Sequence, residues 1–361
     1  MGMQPDSPSP SEFARSERPG DLTPYIRLLM RGTALSFDQS RSAFAELVTG
    51  SSHDAEMGAF LALLAQRVPT VDEVAGAATV MRDFAKALPT PIDPARLLDT
   101  AGTGGAPKTF NVSTMAAIIA ASAGIPVAKA GNRSRTGRGS AEILDALGAR
   151  IDPPTETQQR CLAETNFVFC FAPNHHPAAR HAMPVRKALG FPTIFNLLGP
   201  LTNPAGARRH AVGVYDHAFV ALVARVLCEL GAVHALVYHA QDGLDEVSTG
   251  ASTRFAEVTR TSTGGTVNEF EATPESLGLP RANPLSIAPT TLDDAVDLFR
   301  SVLTSKGHPT ATAMALANAS AALVAGGVAG TLRDGVVEAR RLIESGAAHA
   351  TLEKFIRISQ Q

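Results

Sequence analysis

Residues Thr100–Ala141 read TAGTGGAPKTFNVSTMAAIIAASAGIPVAKAGNRSRTGRGSA. This stretch decides the fold class, because it places two glycine-rich turns at the ends of two strand-like runs with a helix-like run between them. Gly102-Thr103-Gly104-Gly105 follows the run Arg96–Thr100, and Asn111-Val112-Ser113-Thr114 opens the helical run Thr114–Ala123. Ala128-Lys129-Ala130-Gly131-Asn132-Arg133-Ser134 ends the strand-like run Ile125–Lys129. Glycines let backbone N–H groups approach an anion, and a helix N-terminus adds unpaired donors and the positive end of a dipole.

The alternation continues downstream. Asn166–Phe171, His210–Tyr215 and Val233–His239 read as strands, and Ala141–Leu147, Thr155–Glu164 and His217–Leu230 as the helices between them. Such a pattern predicts an α/β fold with a central, mainly parallel sheet covered on both faces. Residues 176–198 read as helical without a strand of their own and are expected to pack back on the first domain. Beyond His239 the pattern is mixed to Pro280, then helical over Leu292–Thr304, Ala311–Ala325 and Leu332–Ser345. No internal repeat is visible.

Upstream, apolar residues recur at helical spacing from Leu22 to about Leu88, and Thr70 with Glu73 reads as a capping box. Pro89-Thr-Pro-Ile-Asp-Pro94 then breaks the helices. The expected division is a disordered Ser/Pro-rich tail (1–21), a small N-terminal helical domain (22–95, joined by helices from about 176–200) and a large α/β domain (96–361).

Composition narrows the function. At 361 residues the chain has room for two domains, and 45% apolar with 18% charged residues is globular rather than disordered. The net charge of −2 lacks the basic excess of a nucleic-acid footprint. Aromatics at 5% and no Trp argue against base-stacking platforms. Cys161, Cys170 and Cys228 have neither metal nor disulfide spacing and read as reduced, buried thiols. No secretory leader or membrane span is readable, so the cytoplasm is the expected compartment.

Three motifs suggest chemistry. In the first, Gly102–Gly105 with Asn111, Ser113 and Thr114 reads as a phosphate or pyrophosphate cradle; the bland alternative is a tight turn with Asn111 or Ser113 as an N-cap. In the second, Lys129 and Arg133 suit phosphates and Asn132 a sugar or acceptor, because ligands bind outside the carboxyl ends of parallel strands. The third is Gln241-Asp-Gly-Leu-Asp-Glu246, whose Asp242, Asp245 and Glu246 suit Mg²⁺, which takes few protein ligands; the alternative is an acidic turn facing a helix dipole. His175–His181 has too few ligands for zinc, while the Arg186 guanidinium suits a carboxylate or is an ordinary surface arginine. No nucleophile-elbow sequence is present.

Together these strings resemble the anthranilate phosphoribosyltransferase family, from about residue 23 to the C-terminus. The likeness rests on Gly102–Gly105, Thr109–Thr114, Val127–Ser134, Lys187–Pro204 and Asp242–Ser248. It implies a Mg²⁺-dependent pentosyltransferase of tryptophan biosynthesis, with a nucleoside phosphorylase/phosphoribosyltransferase-like fold. It also implies a homodimer joined through the helical domain, with the active site between the domains. Gly102, Thr103, Gly104, Gly105, Thr109, Asn111, Ser113, Thr114 and Lys129 would hold phosphoribosyl pyrophosphate. Ser113, Asp245 and Glu246 would hold Mg²⁺, and Asn132 and Arg186 would bind anthranilate. Lys129, Asn132 and Arg186 would be the catalytic set.

The chain departs from the family at Ala106, where Asp is usual, and at Ala130, where His is usual. The loops Ala106–Thr109 and Arg135–Gly139 are shorter. These departures bear on the acceptor, leaving open a different aromatic acceptor or a nucleoside phosphorylase-like activity. A non-catalytic, nucleic-acid-binding relative is the remaining reading, against which Asp245-Glu246 and the near-neutral charge weigh.

Overall fold

The computed structural model describes residues 18–107, 109–134 and 137–361. Most of the proposed tail and part of the Arg135–Gly139 loop lie outside the described residues.

Four helices come first: α1 (Thr23–Met30), α2 (Phe37–Val48), α3 (Asp54–Ala65) and α4 (Val71–Asp83). The Thr70–Glu73 capping box forms, with Glu73 N–H donating to Thr70 Oγ1 at 3.2 Å and Thr70 N–H to Glu73 Oε2 at 2.8 Å. The Glu73 carboxylate is fully buried, and Arg67 and the Leu35 amide complete its hydrogen bonding.

The remaining elements alternate. They are β1 (Leu98–Asp99), α5 (Val112–Ser122), β2 (Val127–Gly131), α6 (Ser140–Ala146), α7 (Thr155–Thr165) and β3 (Phe167–Phe171). Next come α8 (Ala172–His175), α9 (Met183–Leu189), α10 (Ile194–Leu198), β4 (Arg209–Gly213), α11 (Phe219–Glu229) and β5 (His234–Ala240). The chain ends with β6 (Thr253–Thr261), β7 (Gly264–Ala272), α12 (Leu292–Leu303), α13 (Pro309–Gly326), α14 (Leu332–Glu344) and α15 (Ala347–Ser359). The sheet order is β3-β2-β1-β4-β5-β6-β7. The strands from β3 to β5 pair in parallel, and β6 and β7 add an antiparallel hairpin.

Both sheet faces are covered. Leu236 and Tyr238 of β5 lie in the core on the α13 side, while Ala235 and Val237 face α11. This is the period-two alternation of a strand buried on both sides. α9 and α10 pack against the helical layer, with the Phe195 ring 5.9 Å from Phe44. The hairpin β6–β7 and the helix α15 went unread in the sequence. β7 lies at the sheet edge with mostly exposed side chains, so it lacks the apolar run of an inner strand. Among the described residues no helix is long and apolar enough to cross a membrane.

Three arginines converge on the C-terminus of α11. Arg82 of α4 donates to Leu201 O at 2.7 Å and Leu230 O at 3.4 Å, Arg208 donates to Gly231 O, and Arg260 donates to Cys228 O and Ala232 O. Cations favour the carbonyl end of a helix dipole, so this end ties α4 to the sheet. Behind Arg82 lies His210 of β4, fully buried. Burial, reinforced by the Arg82 charge, pushes its ring from 6.5 down to about 3.

A neutral buried histidine contributes stability in full above the unfolded pKa of 6.5, and the contribution falls as pH drops from 6.5 toward 3. Lowering pH from 7.5 to 5 should therefore cost about 2 kcal/mol from His210. Urea denaturation at the two pH values checks this. The variant His210→Gln should reduce the measured difference by about 2 kcal/mol, leaving the part from His176, which burial pushes down to about 4, and an unchanged difference would assign it to other groups.

Candidate active site

β1 contains only two residues, and the carboxylate of its second, Asp99, reaches the neighbouring strand end. Oδ1 accepts the backbone N–H of Ala101 at 3.0 Å and of Ala130 at 3.1 Å, and Oδ2 accepts Asn203 Nδ2 at 2.7 Å. Asn203 Nδ2 also donates to Ala128 O at 2.7 Å, while its Oδ1 accepts the Ala205 and Ala207 amides. The C-terminal ends of β1 and β2 are thus stapled together. Lys129 reaches across the same junction: Nζ donates to Thr100 O at 3.1 Å, Thr100 Oγ1 at 3.2 Å and Ser113 Oγ at 3.3 Å. Asp99 and Lys129 are each 1% exposed. Burial pushes Lys129 down to about 8 and Asp99 up, and each charge partly offsets the shift of the other.

Above this junction lies a polar cleft of about 320 Å³. Gly104 and Gly105 form one wall with φ of 62° and 104°, a conformation that glycine adopts without strain. Ser113 and Thr114 enter from the first turn of α5, and Thr114 Oγ1 is buried with no partner among the described residues. Asp245, Glu246 and Tyr238 form the opposite wall. Burial, with Glu246 and Asp245 nearby, pushes the Tyr238 hydroxyl up. The Asp245 turn presses so closely on β4 that a Cβ on Gly213 would sit 1.7 Å from Asp245 O.

Asn111 does not cap α5; its Nδ2 donates instead to Arg138 O at 3.2 Å, which joins the two glycine-rich turns. Asp242 separates from its neighbours in the acidic turn, accepting Ser248 Oγ at 2.6 Å and lying outside the cleft. Among the described residues there is no cluster of three or more His, Cys, Asp or Glu side chains for a metal. A divalent cation here would rely on two carboxylates, a hydroxyl and ligand oxygens, which suits Mg²⁺.

A second, more apolar chamber of about 510 Å³ adjoins the cleft, sharing Gly102, Thr103, Ala130, Gly131 and Asn132 with it. It runs between the sheet ends and the helical layer, reaching Met81 of α4 and Arg186 of α9. The Arg186 guanidinium lies 4.8 Å from the centre of the Phe195 ring, and burial lowers its pKa. Among the described residues no carboxylate pairs with it.

Residues 94–349 match the glycosyl transferase family a/b domain, and residues 23–85 match that family's helical bundle domain. The anthranilate phosphoribosyltransferase of Halorhodospira halophila is 45% identical over 344 residues, covering 94% of this chain and 99% of that protein. The enzyme of the same name from Azorhizobium caulinodans is 44% identical, over 93% and 96%. This chain belongs to the anthranilate phosphoribosyltransferase family. The crystal structure of the Thermus thermophilus enzyme superposes with a TM-score of 0.85 at 35% identity, over 93% of this chain and 99% of that one. The Saccharomyces cerevisiae enzyme in complex with PRPP and Mg superposes with a TM-score of 0.83 at 25% identity, over 94% and 98%.

Of the residues that the family likeness singles out, all but Thr109 line one or both of these cavities. Thr103 Oγ1 accepts the Tyr215 amide at 3.0 Å, tying the glycine turn to the end of β4. Thr109 lies behind the cleft wall, donating to Glu246 Oε2 at 2.6 Å. Arg133 pairs with Asp145 at 3.4 Å on the rim. Sequence reasoning missed Asp99, Asn203 and Asn318. Asn318 of α13 accepts the Val247 amide at 2.9 Å and donates to Val247 O at 3.0 Å, clamping the acidic turn. A charged residue inside an apolar strand was the readable sign of Asp99.

Removing the Asp99 charge takes away the anion that offsets the burial of Lys129 and weakens the bonds to Ala101, Ala130 and Asn203, a loss of about 1–3 kcal/mol. Asp99→Asn should show that loss in urea denaturation. Adding Lys129→Met should recover part of it, with a coupling energy above about 1 kcal/mol. Strictly additive effects would show that the two side chains do not interact.

Proposed function

We propose that this protein transfers the phosphoribosyl group of phosphoribosyl pyrophosphate to the amine of anthranilate, giving N-(5-phosphoribosyl)anthranilate and pyrophosphate. The observation that carries this reading is the pair of joined cavities. One offers open glycine amides, hydroxyls and two carboxylates; the other offers apolar walls and an arginine without a carboxylate partner among the described residues. A charged phosphoribosyl donor suits the first and a carboxylated aromatic ring the second, with the reacting atoms meeting at the neck beside Asn132.

In this reading the amine lone pair forms a bond to the anomeric carbon as the bond to pyrophosphate breaks, and the amine proton is released. Gly104, Gly105, Ser113 and Thr114 hold the pyrophosphate through N–H and O–H donors. Asp245 and Glu246, with Ser113, would hold Mg²⁺, which would neutralise charge on the leaving group. The three donors of Lys129 face Thr100 and Ser113, so it serves as a fixed positive charge beneath the cradle. Arg186 fixes the anthranilate carboxylate and Asn132 orients the acceptor ring. Holding both reactants in line supplies much of the rate, since the transition state has oxocarbenium character and needs no covalent help. We also propose a homodimer joined through the helical domain, where Met30 of α1 is 71% exposed.

The direct test is anthranilate fluorescence, which should fall when the protein meets phosphoribosyl pyrophosphate and Mg²⁺ together, and not with either alone. No loss of fluorescence would exclude anthranilate as the acceptor.

Asp245→Ala with Glu246→Ala should abolish transfer while leaving the protein folded, the lost Thr109 hydrogen bond alone accounting for about 1 kcal/mol of any loss in stability. Activity close to wild type would remove the metal assignment. Arg186→Ala should raise the Michaelis constant for anthranilate roughly ten- to a hundredfold, from loss of a charge-assisted pair of about 1.5–3 kcal/mol, with that for phosphoribosyl pyrophosphate unchanged. Equal increases for both substrates would make Arg186 structural.

A further inference from the structure

We propose that Asn318 of α13 is a positioning residue for the divalent cation: by pairing with the backbone of Val247 it holds Asp245 and Glu246 at the spacing from Ser113 that a metal-bound pyrophosphate needs. The inference rests on the cleft reading above and names what fixes the acidic wall.

Between Met314 and Leu323, α13 is built from Ala and Leu except at Asn318 and Ser320. Asn318 is 2% exposed and lies where the helix meets the cleft. Its Nδ2 donates to Val247 O at 3.0 Å and to Met314 O at 2.9 Å, and its Oδ1 accepts the Val247 amide at 2.9 Å. Both amide hydrogens are spent, so turning the group over would break all three bonds. The Val247 N–H belongs to the peptide that follows Glu246, and the Val247 C=O to the next peptide. One side chain therefore fixes the backbone on both sides of Val247, starting at the carbon that carries the Glu246 side chain.

The opposite side of the turn is held by contact. A Cβ on Gly213 would lie 1.7 Å from Asp245 O, so the turn backbone rests on β4 with no room for a methyl group. Ser113 is held by the same scaffold, since α5, which carries it, packs on α13. Hydroxyl and carboxylates are thus both referenced to one buried helix. Mg²⁺ demands near-octahedral geometry at short distances, so a carboxylate that must be ordered on binding weakens the site.

Ser320 supplies the control. It is fully buried two residues on, about 200° round the helix, where it packs against Gly335 of α14 and donates to Ala317 O within α13.

The experiment compares full-length wild type, Asn318→Leu, Asn318→Asp and Ser320→Ala. Calorimetric titrations use magnesium pyrophosphate, then pyrophosphate with EDTA; steady-state rates are measured against Mg²⁺ and anthranilate. Asn318→Leu should weaken magnesium pyrophosphate about tenfold and raise the Mg²⁺ concentration for half-maximal rate by about the same factor. Metal-free pyrophosphate binding, the anthranilate Michaelis constant and kcat at saturating Mg²⁺ should stay near wild type. Ser320→Ala should change none of these constants. Asn318→Asp keeps an acceptor for the Val247 amide, so its effect should be smaller, about threefold, and it decides the matter if Asn318→Leu does not fold. Unchanged magnesium pyrophosphate binding, an equal loss with EDTA, or an equal effect of Ser320→Ala would each overturn the proposal, as would failure of both Asn318 variants to fold. A wild type whose pyrophosphate binding ignores Mg²⁺ would overturn it together with the metal assignment. A wild type that binds magnesium pyrophosphate but does not consume anthranilate would refute the activity and leave this inference to be decided by the titrations alone.

Discussion

A lysine ammonium enclosed where parallel strands end must have a counter-charge, and Asp99 supplies it. In a low-dielectric interior an isolated charge is costly, so burial pushes Lys129 down to about 8, the Asp99 charge offsets part of that shift, and three oxygen acceptors take the ammonium's hydrogen bonds. The same carboxylate accepts the Ala101 and Ala130 amides, fixing the start of both glycine-rich turns relative to each other. Asn203, from a distant part of the chain, closes the network and satisfies the remaining groups around it. The geometry of the cleft follows from that junction.

The cleft and the chamber divide the chemistry by solvation. Glycine amides, hydroxyls and carboxylates gather at the strand ends, where a highly charged donor can exchange water for fixed donors. The chamber is walled by Met81, Phe195 and other apolar groups, so a charge-assisted pair made there with Arg186 is screened little by water. Ala130 and Gly131 line both cavities at the neck between them, with little side-chain bulk. Gly213 saves space in the same way on the other side, letting the Asp245 turn press against β4.

The order of strands and helices from Arg96 to His239 was legible because inner parallel strands are short continuous apolar runs and the helices between them are longer and amphipathic. β6–β7 was not, since an edge hairpin with one solvated face carries no such run. The glycine turns, Ser113, Asp245 and Glu246 were read as candidate site residues because the residue types suit phosphate and metal, and they line the cleft together. Thr103 and Thr109 were read as ligand-binding from their place in those motifs; Thr103 lines both cavities while its hydroxyl accepts the Tyr215 amide, and Thr109 lies behind the cleft wall on Glu246, directions that local sequence does not encode.

By itself, then, the sequence determined the α/β alternation, the two anion-friendly turns and the acidic turn, all of which depend on the local chemistry of neighbouring residues. Only the tertiary structure decided that Asp99 neutralises Lys129, that Asn203 and Asn318 hold the turns from 104 and 71 residues away, and that the cleft opens into a separate chamber reaching Arg186. Those are properties of packing, where burial sets the strength of a charge and the approach of distant backbones sets the width of a cavity. Neither has a signature in the spacing of residues along the chain.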